Sequence, residues 1–191
     1  MPVDRAKAQR AVSDLLEALG HHPERNPELL QTPALVVDAF EREWLSGYLV
    51  DIPSLLTKDQ SKPPEKPAIV VVSQIALAAL CPHHLLPAEG TATVAYLPGK
   101  QLLGLGTLAR LVDACARRLA LQEQIGQHVV SALMDHAAAK AAYCRLEFRH
   151  ACLRLRGPRQ THAEVSTTHV AGEFESDDGR AQLSGALGRN H

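Results

Sequence analysis

The sequence predicts an α+β protein, in which helices cover one face of an antiparallel sheet. Two helical patterns come first, then a β-branched stretch and an alternating stretch, then two more helical patterns and a final strand pair. The β-branched stretch is Ile69-Val70-Val71-Val72, and residues 90–97 alternate between two faces, as a half-buried strand does. The predicted order of elements is therefore α-α-β-β-α-α-β-β.

Four segments carry apolar side chains at helical spacing and predict helices: residues 5–19, 27–47, 107–119 and 122–139. Thr32-Pro33 would mark the effective start of the second helix, because proline suits a first helical turn. Residues 51–67 carry four prolines and predict a loop or arm. The last strand pair is predicted over 142–155 and 161–170, and a short helix over 180–187 in a polar tail.

Composition excludes several classes of partner. The net charge of −1 gives no global field for nucleic acid or a membrane surface, so neither is an expected partner. No apolar run approaches the ~20 residues of a membrane span, and residues 1–10 carry charges where a signal peptide is apolar. We therefore expect a cytoplasmic protein whose four cysteines stay reduced or bind metal.

A cysteine followed by two histidines, in Cys81-Pro82-His83-His84, ends an apolar run, and His150 and Cys152 lie far downstream. Cysteine and histidine are preferred ligands of zinc, and catalytic zinc sites use three protein ligands plus one open position. Cys81, His84 and Cys152 would form such a set, which leaves His83 and His150 for proton transfer. A lone Cys-x-x-His pair is weak support, so spacing alone leaves a zinc site and a metal-free turn equally open.

Strand parity adds a second argument for a site. In the predicted strand over 142–155, His150 and Cys152 share one face with Cys144, and Arg156 would follow them if the strand stayed regular. A metal ligand, a proton-transfer group and an anion-binding arginine would then lie in one row. The simplest interpretation of Cys144 and Cys115 is that both are core residues.

Glu123 lies where a helix is predicted to begin. A carboxylate is stabilised by the positive end of a helix, so a structural role is sufficient to explain Glu123 from the sequence alone.

Several stretches together resemble the GTP cyclohydrolase I family, in order and over roughly residues 15–174. They are Thr32-Pro33, Cys81-Pro82-His83-His84, Tyr96-Leu97-Pro98, Gly104-Leu105, Leu121-Gln122-Glu123, His150-Ala151-Cys152, Arg156-Gly157 and Ser166-Thr167-Thr168. The resemblance implies a tunnelling fold, in which antiparallel sheets from several subunits close a barrel with helices outside. It also implies a homodecamer with active sites at subunit interfaces. Within one domain over 1–191, we expect N-terminal helices over 1–48, a catalytic core over 68–174 and a tail over 175–191.

The same resemblance implies the chemistry. Zn²⁺ would be held by Cys81, His84 and Cys152, and would supply hydroxide at neutral pH to attack C8 of a guanine ring. The imidazole ring opens and formate is released. Glu123, with Gln122 beside it, would recognise the guanine edge. His83 and His150 would transfer protons, and Arg110 and Arg156 would bind the phosphates.

Departures from the family pattern fall mainly on phosphate binding. The family has an arginine and a lysine where this chain has Leu35 and Asp38, and another lysine where it has Thr107. Each lost charge-assisted hydrogen bond to phosphate removes about 1.5–3 kcal/mol of binding free energy. Pro82 replaces a glutamate, and Gln124 replaces an arginine.

These departures predict a guanine-type substrate with fewer phosphates than GTP, such as guanosine, GMP or a related purine or pterin. One alternative is an ordinary GTP cyclohydrolase I that makes 7,8-dihydroneopterin triphosphate. Another is a catalytically silent paralogue that acts as a binding or assembly subunit.

Overall fold

The computed structural model describes residues 3–58 and 60–188. The helices are α1 (Arg5–Ala18), α2 (Thr32–Ala39), α3 (Ile52–Lys58), α4 (Leu105–Ala116), α5 (Gln122–His136), α6 (Ala151–Arg154) and α7 (Asp177–Leu187). The strands are β1 (Gln60–Ser61), β2 (Val70–Leu80), β3 (Pro87–Leu97), β4 (Leu102–Leu103), β5 (Ala141–His150) and β6 (Val165–Gly172). A π turn, Phe40–Trp44, extends α2, and short 3₁₀ turns cover Pro23–Arg25, Ser46–Leu49 and Glu173–Glu175.

A four-stranded antiparallel sheet in the order β2-β3-β5-β6 forms the centre of the fold. Residues Ala92, Val94 and Tyr96 of β3 belong to one apolar cluster and Ala95 to another, which confirms the alternation predicted from the sequence. The face of Ala92, Val94 and Tyr96 packs against α4 and α5 to form the main hydrophobic core. The helix side chains Leu108, Leu111, Val112, Cys115, Ile125, Val129 and Leu133 are all buried there. The predicted α+β class and antiparallel sheet are confirmed.

The opposite face of the sheet is covered only in part. Tyr143, Phe174 and Leu183 form a second, smaller apolar cluster where α7 packs on the sheet. No helix among the described residues is long and apolar enough to cross a membrane.

The prediction of a loop or arm over residues 51–67 is wrong at its start. Residues 52–58 form α3, and Leu56 is fully buried in the main core. β1 then pairs with β4, with Gln60 opposite Leu103. Pro53 lies in the first turn of α3, where proline is tolerated. The other prolines of the segment start at Pro63, after this pairing.

The second predicted helix starts later than residue 27. Turns occupy the residues before Thr32, Leu30 is 63% exposed, and Thr32-Pro33 is the true helix start. This agrees with the rule that proline is accommodated where its missing N–H has no helical partner.

The last long strand also ends earlier than predicted. β5 stops at His150, and the chain turns into α6 at Ala151. Strand parity therefore does not carry through to Cys152 or Arg156. The parity holds up to that point, since Cys144, Leu146 and Phe148 are all buried on one face.

The two N-terminal helices are joined by charged side chains. Arg5 of α1 pairs with Asp38 at 3.0 Å and also contacts Glu41, and Arg42 pairs with Asp38 at 2.9 Å. α1 buries no residue, and both Leu15 of α1 and Leu19 at its C-terminal cap are exposed. Charge pairs on a surface contribute little individually, so this attachment is weak within one chain.

The segment around Gly47 is fastened to the linker between α4 and α5. The Gly47 N–H donates to the Arg117 carbonyl at 3.0 Å, and the Arg118 guanidinium donates to the Gly47 carbonyl at 3.0 and 3.1 Å. The Leu119 N–H donates to the Tyr48 hydroxyl at 3.3 Å. A parallel bridge then joins Leu119 to Leu80, the last residue before the Cys81 turn. These contacts fix the linker that leads into α5.

Replacing Gly47 by alanine should destabilise the protein. A Cβ at this position would clash with the main-chain oxygens of Ala114 and Arg117, neither of which can move alone. We expect a loss of about 1–3 kcal/mol in the free energy of unfolding, measured by urea denaturation.

Gly185→Ala is the matched control, because it lies in α7 and an added Cβ would have nothing within 4 Å of it. Alanine is favoured over glycine inside a helix by about 1 kcal/mol, so this variant should be neutral or more stable. Equal destabilisation by the two substitutions would contradict the packing described for Gly47.

Candidate active site

The Cys81–Leu86 turn connects β2 and β3 and is held closed by its own main chain. The Cys81 N–H donates to the Leu86 carbonyl, and the Leu85 N–H donates to the Cys81 carbonyl, both at 2.9 Å. Leu85 has a φ of 52°, in the left-handed region that a non-glycine residue rarely adopts. The closed turn leaves Cys81 Sγ 3.7 Å from His84 Nδ1.

The structure brings the three predicted metal ligands together. The ligand atoms of Cys81, His84 and Cys152 all lie within 4.8 Å of one another. Cys152 arrives from the first turn of α6 rather than from a regular strand, so the predicted grouping is found by a different route. Two thiols and one imidazole form a donor set that suits a tetrahedral metal with one open position, so these residues fit a catalytic metal ion.

The thiol of Cys152 is held in its protonated form by its surroundings. Burial raises its pKa, and the nearby Cys81 raises it further, because two thiolates side by side repel each other. A bound cation would reverse this effect by stabilising both thiolates.

A cavity of about 290 Å³ is lined by two of the three ligands, Cys81 and Cys152. Its wall is built from the β2–β3 turn, the start of α5, and the end of β5 with α6. The predicted site residues on this wall are Cys81, His83, Gln122, Glu123, His150 and Cys152. Residues from distant parts of the sequence therefore converge on one space.

His150 and Gln122 are linked by a hydrogen bond. His150 Nε2 lies 2.8 Å from Gln122 Oε1, and the His150 ring also contacts Phe148. Burial lowers the pKa of His150 below its ordinary value of 6.5, and the negative charge of Glu123 opposes that shift. The imidazole is therefore uncharged at neutral pH, the form that can accept a proton.

Glu123 lies in the first turn of α5 and is exposed to the cavity side of the helix start. The helix is capped by Gln124, whose Oε1 accepts the Leu121 N–H at 2.9 Å. Gln124, one of the departures from the family pattern, thus has a structural role. The two carboxylate oxygens of Glu123 can accept hydrogen bonds from the N–H groups of a ligand in the cavity.

The predicted phosphate-binding residues are not brought to this cavity within one chain. Arg110 and Arg156 do not line it, and Arg110 Nη2 donates to the Thr107 hydroxyl at 3.2 Å. Thr107 is buried, at 1% exposed. Leu35 is exposed on α2, and Asp38 is engaged with Arg5 and Arg42.

Sequence reasoning missed the hydrogen bonds by which Gly47, Arg118 and Tyr48 hold the linker between α4 and α5. These residues belong to no ligand-spacing pattern, and their partners lie 71 positions apart. Only the folded chain shows that they hold the linker carrying Gln122 and Glu123.

The profile of the GTP cyclohydrolase I family matches residues 8–185. The chain belongs to the GTP cyclohydrolase I family. A GTP cyclohydrolase 1 of Campylobacter lari is 39% identical over 169 residues, which cover 88% of this chain and 87% of the relative. One from Leifsonia xyli subsp. xyli is 35% identical over 185 residues, 97% of this chain and 96% of the relative.

Membership of the GTP cyclohydrolase I family confirms the family resemblance seen in the sequence, and the antiparallel sheet with its helices is the α+β architecture which that resemblance implied for one subunit. Among solved structures, the archaeosine synthase QueF-Like in the apo form has a TM-score of 0.47 at 15% identity. It covers 56% of this chain and 97% of its own, a likeness too weak to bear on function.

The four thiols should separate into two classes. Cys115 and Cys144 are each 0% exposed, and burial raises their pKa values from 9.0 to about 11 and about 12. Cys81 and Cys152 are partly exposed. In metal-free native protein at pH 8, Ellman's reagent should therefore titrate two thiols, rising to four in denaturant.

Cys81→Ser and Cys152→Ser should each remove one fast thiol, whereas Cys115→Ser should leave both. The two buried thiols also make stability depend on pH, because their pKa is 9.0 in the unfolded chain but about 11 and about 12 in the folded protein. Their contribution to the free energy of unfolding is therefore complete below pH 9 and is lost as the pH rises through about 11 to about 12. Fast reaction of all four native thiols would contradict the assignment.

Proposed function

We propose that this chain is a zinc-dependent cyclohydrolase of the GTP cyclohydrolase I type. It would open the imidazole ring of a guanine-type substrate by hydrolysis and release C8 as formate. The observation that supports this most directly is the Cys-His-Cys ligand group, two of whose members share one cavity with an exposed carboxylate and two further histidines. Family membership supports the same reaction class.

The proposed metal ligands and Glu123 have separate chemical tasks in this proposal. Cys81, His84 and Cys152 would hold Zn²⁺, which when bound acts as a Lewis acid and makes hydrolysis at neutral pH accessible. Glu123 would accept hydrogen bonds from N1 and the 2-amino group of the guanine edge, which are the donors of that base. Its position on the helix start, beside the ligand group, suits a ring whose far edge is to be hydrolysed.

His83 and His150 would transfer protons. The reaction consumes two waters: the first opens the five-membered ring to a formamide, and the second releases formate and leaves an amine. Each step needs a proton removed from water and a proton delivered to the nitrogen that leaves C8: a ring nitrogen in the first step and the formamide nitrogen in the second. A neutral imidazole on the cavity wall, as His150 is at neutral pH, can do the first and then the second.

For the substrate, we propose a guanine-type compound that carries fewer phosphates than GTP. The support is the replacement of expected cations by Leu35, Asp38 and Thr107. Asp38 forms ion pairs with two arginines, and Thr107 is buried. Neither residue carries a positive charge that could bind a phosphate chain.

GTP itself is the second candidate substrate. It is favoured by the names of the relatives, which are GTP cyclohydrolases at 35–39% identity. Arg110 and Arg156 would then hold the phosphates, with Arg154 or Lys100 contributing. A silent paralogue is less favoured, because every proposed ligand and both histidines are present.

We propose further that the chain works as a cytoplasmic homo-oligomer of the family's decameric type. Leu15 of α1 and Leu19 at its C-terminal cap support this, since they are 59% and 66% exposed within the described chain. Subunit contacts would also give the phosphate-binding positions a route to a neighbouring cavity.

The proposed reaction is tested by incubating zinc-loaded protein with GTP, GMP, guanosine and guanine, while formate and pterin fluorescence are measured. We expect formate release with GMP or guanosine at a kcat/KM at least tenfold above that with GTP. Efficient turnover of GTP alone would restore the ordinary family activity, and no turnover of any substrate would favour the silent subunit.

A double variant, Leu35→Arg with Asp38→Lys, restores the two cations of the family pattern. Because each charge-assisted bond to phosphate contributes about 1.5–3 kcal/mol, kcat/KM for GTP should rise at least tenfold. The value for guanosine should stay within about twofold. Leu35→Ala with Asp38→Ala is the matched control, which removes the same side chains without adding positive charge and should not raise GTP turnover.

A further inference from the structure

We propose that Gln122 is a positioning residue: it fixes His150 as the tautomer with its proton on Nε2 and leaves Nδ1 as the proton-accepting nitrogen. The role of His150 in proton transfer rests on the proposed function, whereas the hydrogen-bond geometry stands without it. Gln122 would then serve the cavity through His150 rather than by touching the substrate, which changes the role expected from the sequence.

Gln122 is buried, at 5% exposed, although it belongs to the first turn of α5 beside the cavity. A buried amide that lacks hydrogen bonds costs about 1–3 kcal/mol, so its donors and acceptor are expected to be used. The structure gives all of them partners.

The orientation of the Gln122 amide is determined by two main-chain carbonyls. Nε2 lies 3.1 Å from the Leu146 oxygen and 2.9 Å from the Val165 oxygen. A carbonyl oxygen can only accept, so the group facing both must be the NH₂, and each of its hydrogens has a partner. A flipped amide would place three acceptors together.

This orientation determines where the His150 proton lies. Gln122 Oε1 is directed at His150 Nε2, 2.8 Å away, and an amide oxygen can only accept. His150 Nε2 must therefore donate. A neutral imidazole carries one N–H, so Nδ1 holds the free lone pair.

The orientation of His150 is determined by the main chain of the sheet, through Gln122. Leu146 belongs to β5 and Val165 to β6, so the main chain of two adjacent strands sets the amide, and the amide sets the imidazole. Among residues 3–58 and 60–188, His150 Nδ1 has no hydrogen-bond partner, and the residue lines the cavity. Nδ1 is thus open to a water or a substrate group.

Neutron diffraction from crystals of the perdeuterated wild-type protein tests the tautomer directly. We expect deuterium on His150 Nε2 and none on Nδ1, with both deuterons of the Gln122 amide directed at the Leu146 and Val165 carbonyls. Deuterium on Nδ1, or an amide oxygen facing either carbonyl, would overturn the proposal. This measurement does not depend on the protein having activity.

Kinetics of two variants then separate positioning from substrate binding. Gln122→Met has a similar length but neither donor nor acceptor, and kcat should fall on the order of 10- to 100-fold, with KM within about twofold. Gln122→Glu keeps an acceptor for His150 but cannot donate to the carbonyls, so it should recover part of kcat.

Gln127→Met is the matched control, since Gln127 is exposed on the same helix, and its kinetics should equal the wild type. A raised KM with unchanged kcat in both Gln122 variants would make Gln122 a substrate-binding residue and overturn the proposal. A Gln122→Glu variant with a kcat no higher than that of Gln122→Met would also overturn the proposal. It would show that Gln122 acts only through its hydrogen bonds to the Leu146 and Val165 carbonyls and not through His150. Wild-type protein without turnover would instead refute the proposed function, and the neutron result would still decide the tautomer.

Discussion

The register of β3 against β5 is the constraint on which the site depends. It places His150 opposite Ala88, the second residue of β3, two residues after the turn that carries Cys81 and His84. Because β5 ends there and α6 begins at once, Cys152 is delivered beside that turn and not further along the sheet. A slip of one residue would turn His150 to the other face and separate the ligand atoms.

The other half of the cavity is held by contacts from outside the sheet. Gly47 and Tyr48 secure the linker after α4, and Leu119 bridges to Leu80 just before the Cys81 turn. The start of α5 is thereby fixed relative to the ligand group, which sets where Glu123 and Gln122 lie. Proteins hold reactive groups to within a fraction of an ångström in this way, by packing and hydrogen bonds behind the residues that react.

The sheet and the main helices could be predicted from the sequence, because alternation and helical spacing report directly on burial. The ligand group could be predicted from residue type and the family resemblance, but not from strand parity, which ends before Cys152. Helix α3 could not, since the prolines of residues 51–67 outweighed a short apolar segment whose Leu56 is buried only through tertiary packing. The predicted β5 ran too far, since Cys152 and Leu153 fit a strand pattern as well as a helical turn. Hydrogen bonds between distant residues, such as Gln122 with His150, leave no periodic trace in a sequence and could not be predicted.

The central claim is that Cys81, His84 and Cys152 hold one catalytic zinc ion. The most direct measurement is metal analysis of protein purified with zinc and dialysed, combined with X-ray absorption at the zinc edge. We predict stoichiometric zinc with two sulfur ligands and one imidazole ligand, lost in Cys152→Ala and retained in Cys115→Ala, which alters a core thiol. Protein that binds no zinc, or whose zinc content is unchanged in Cys152→Ala, would contradict it.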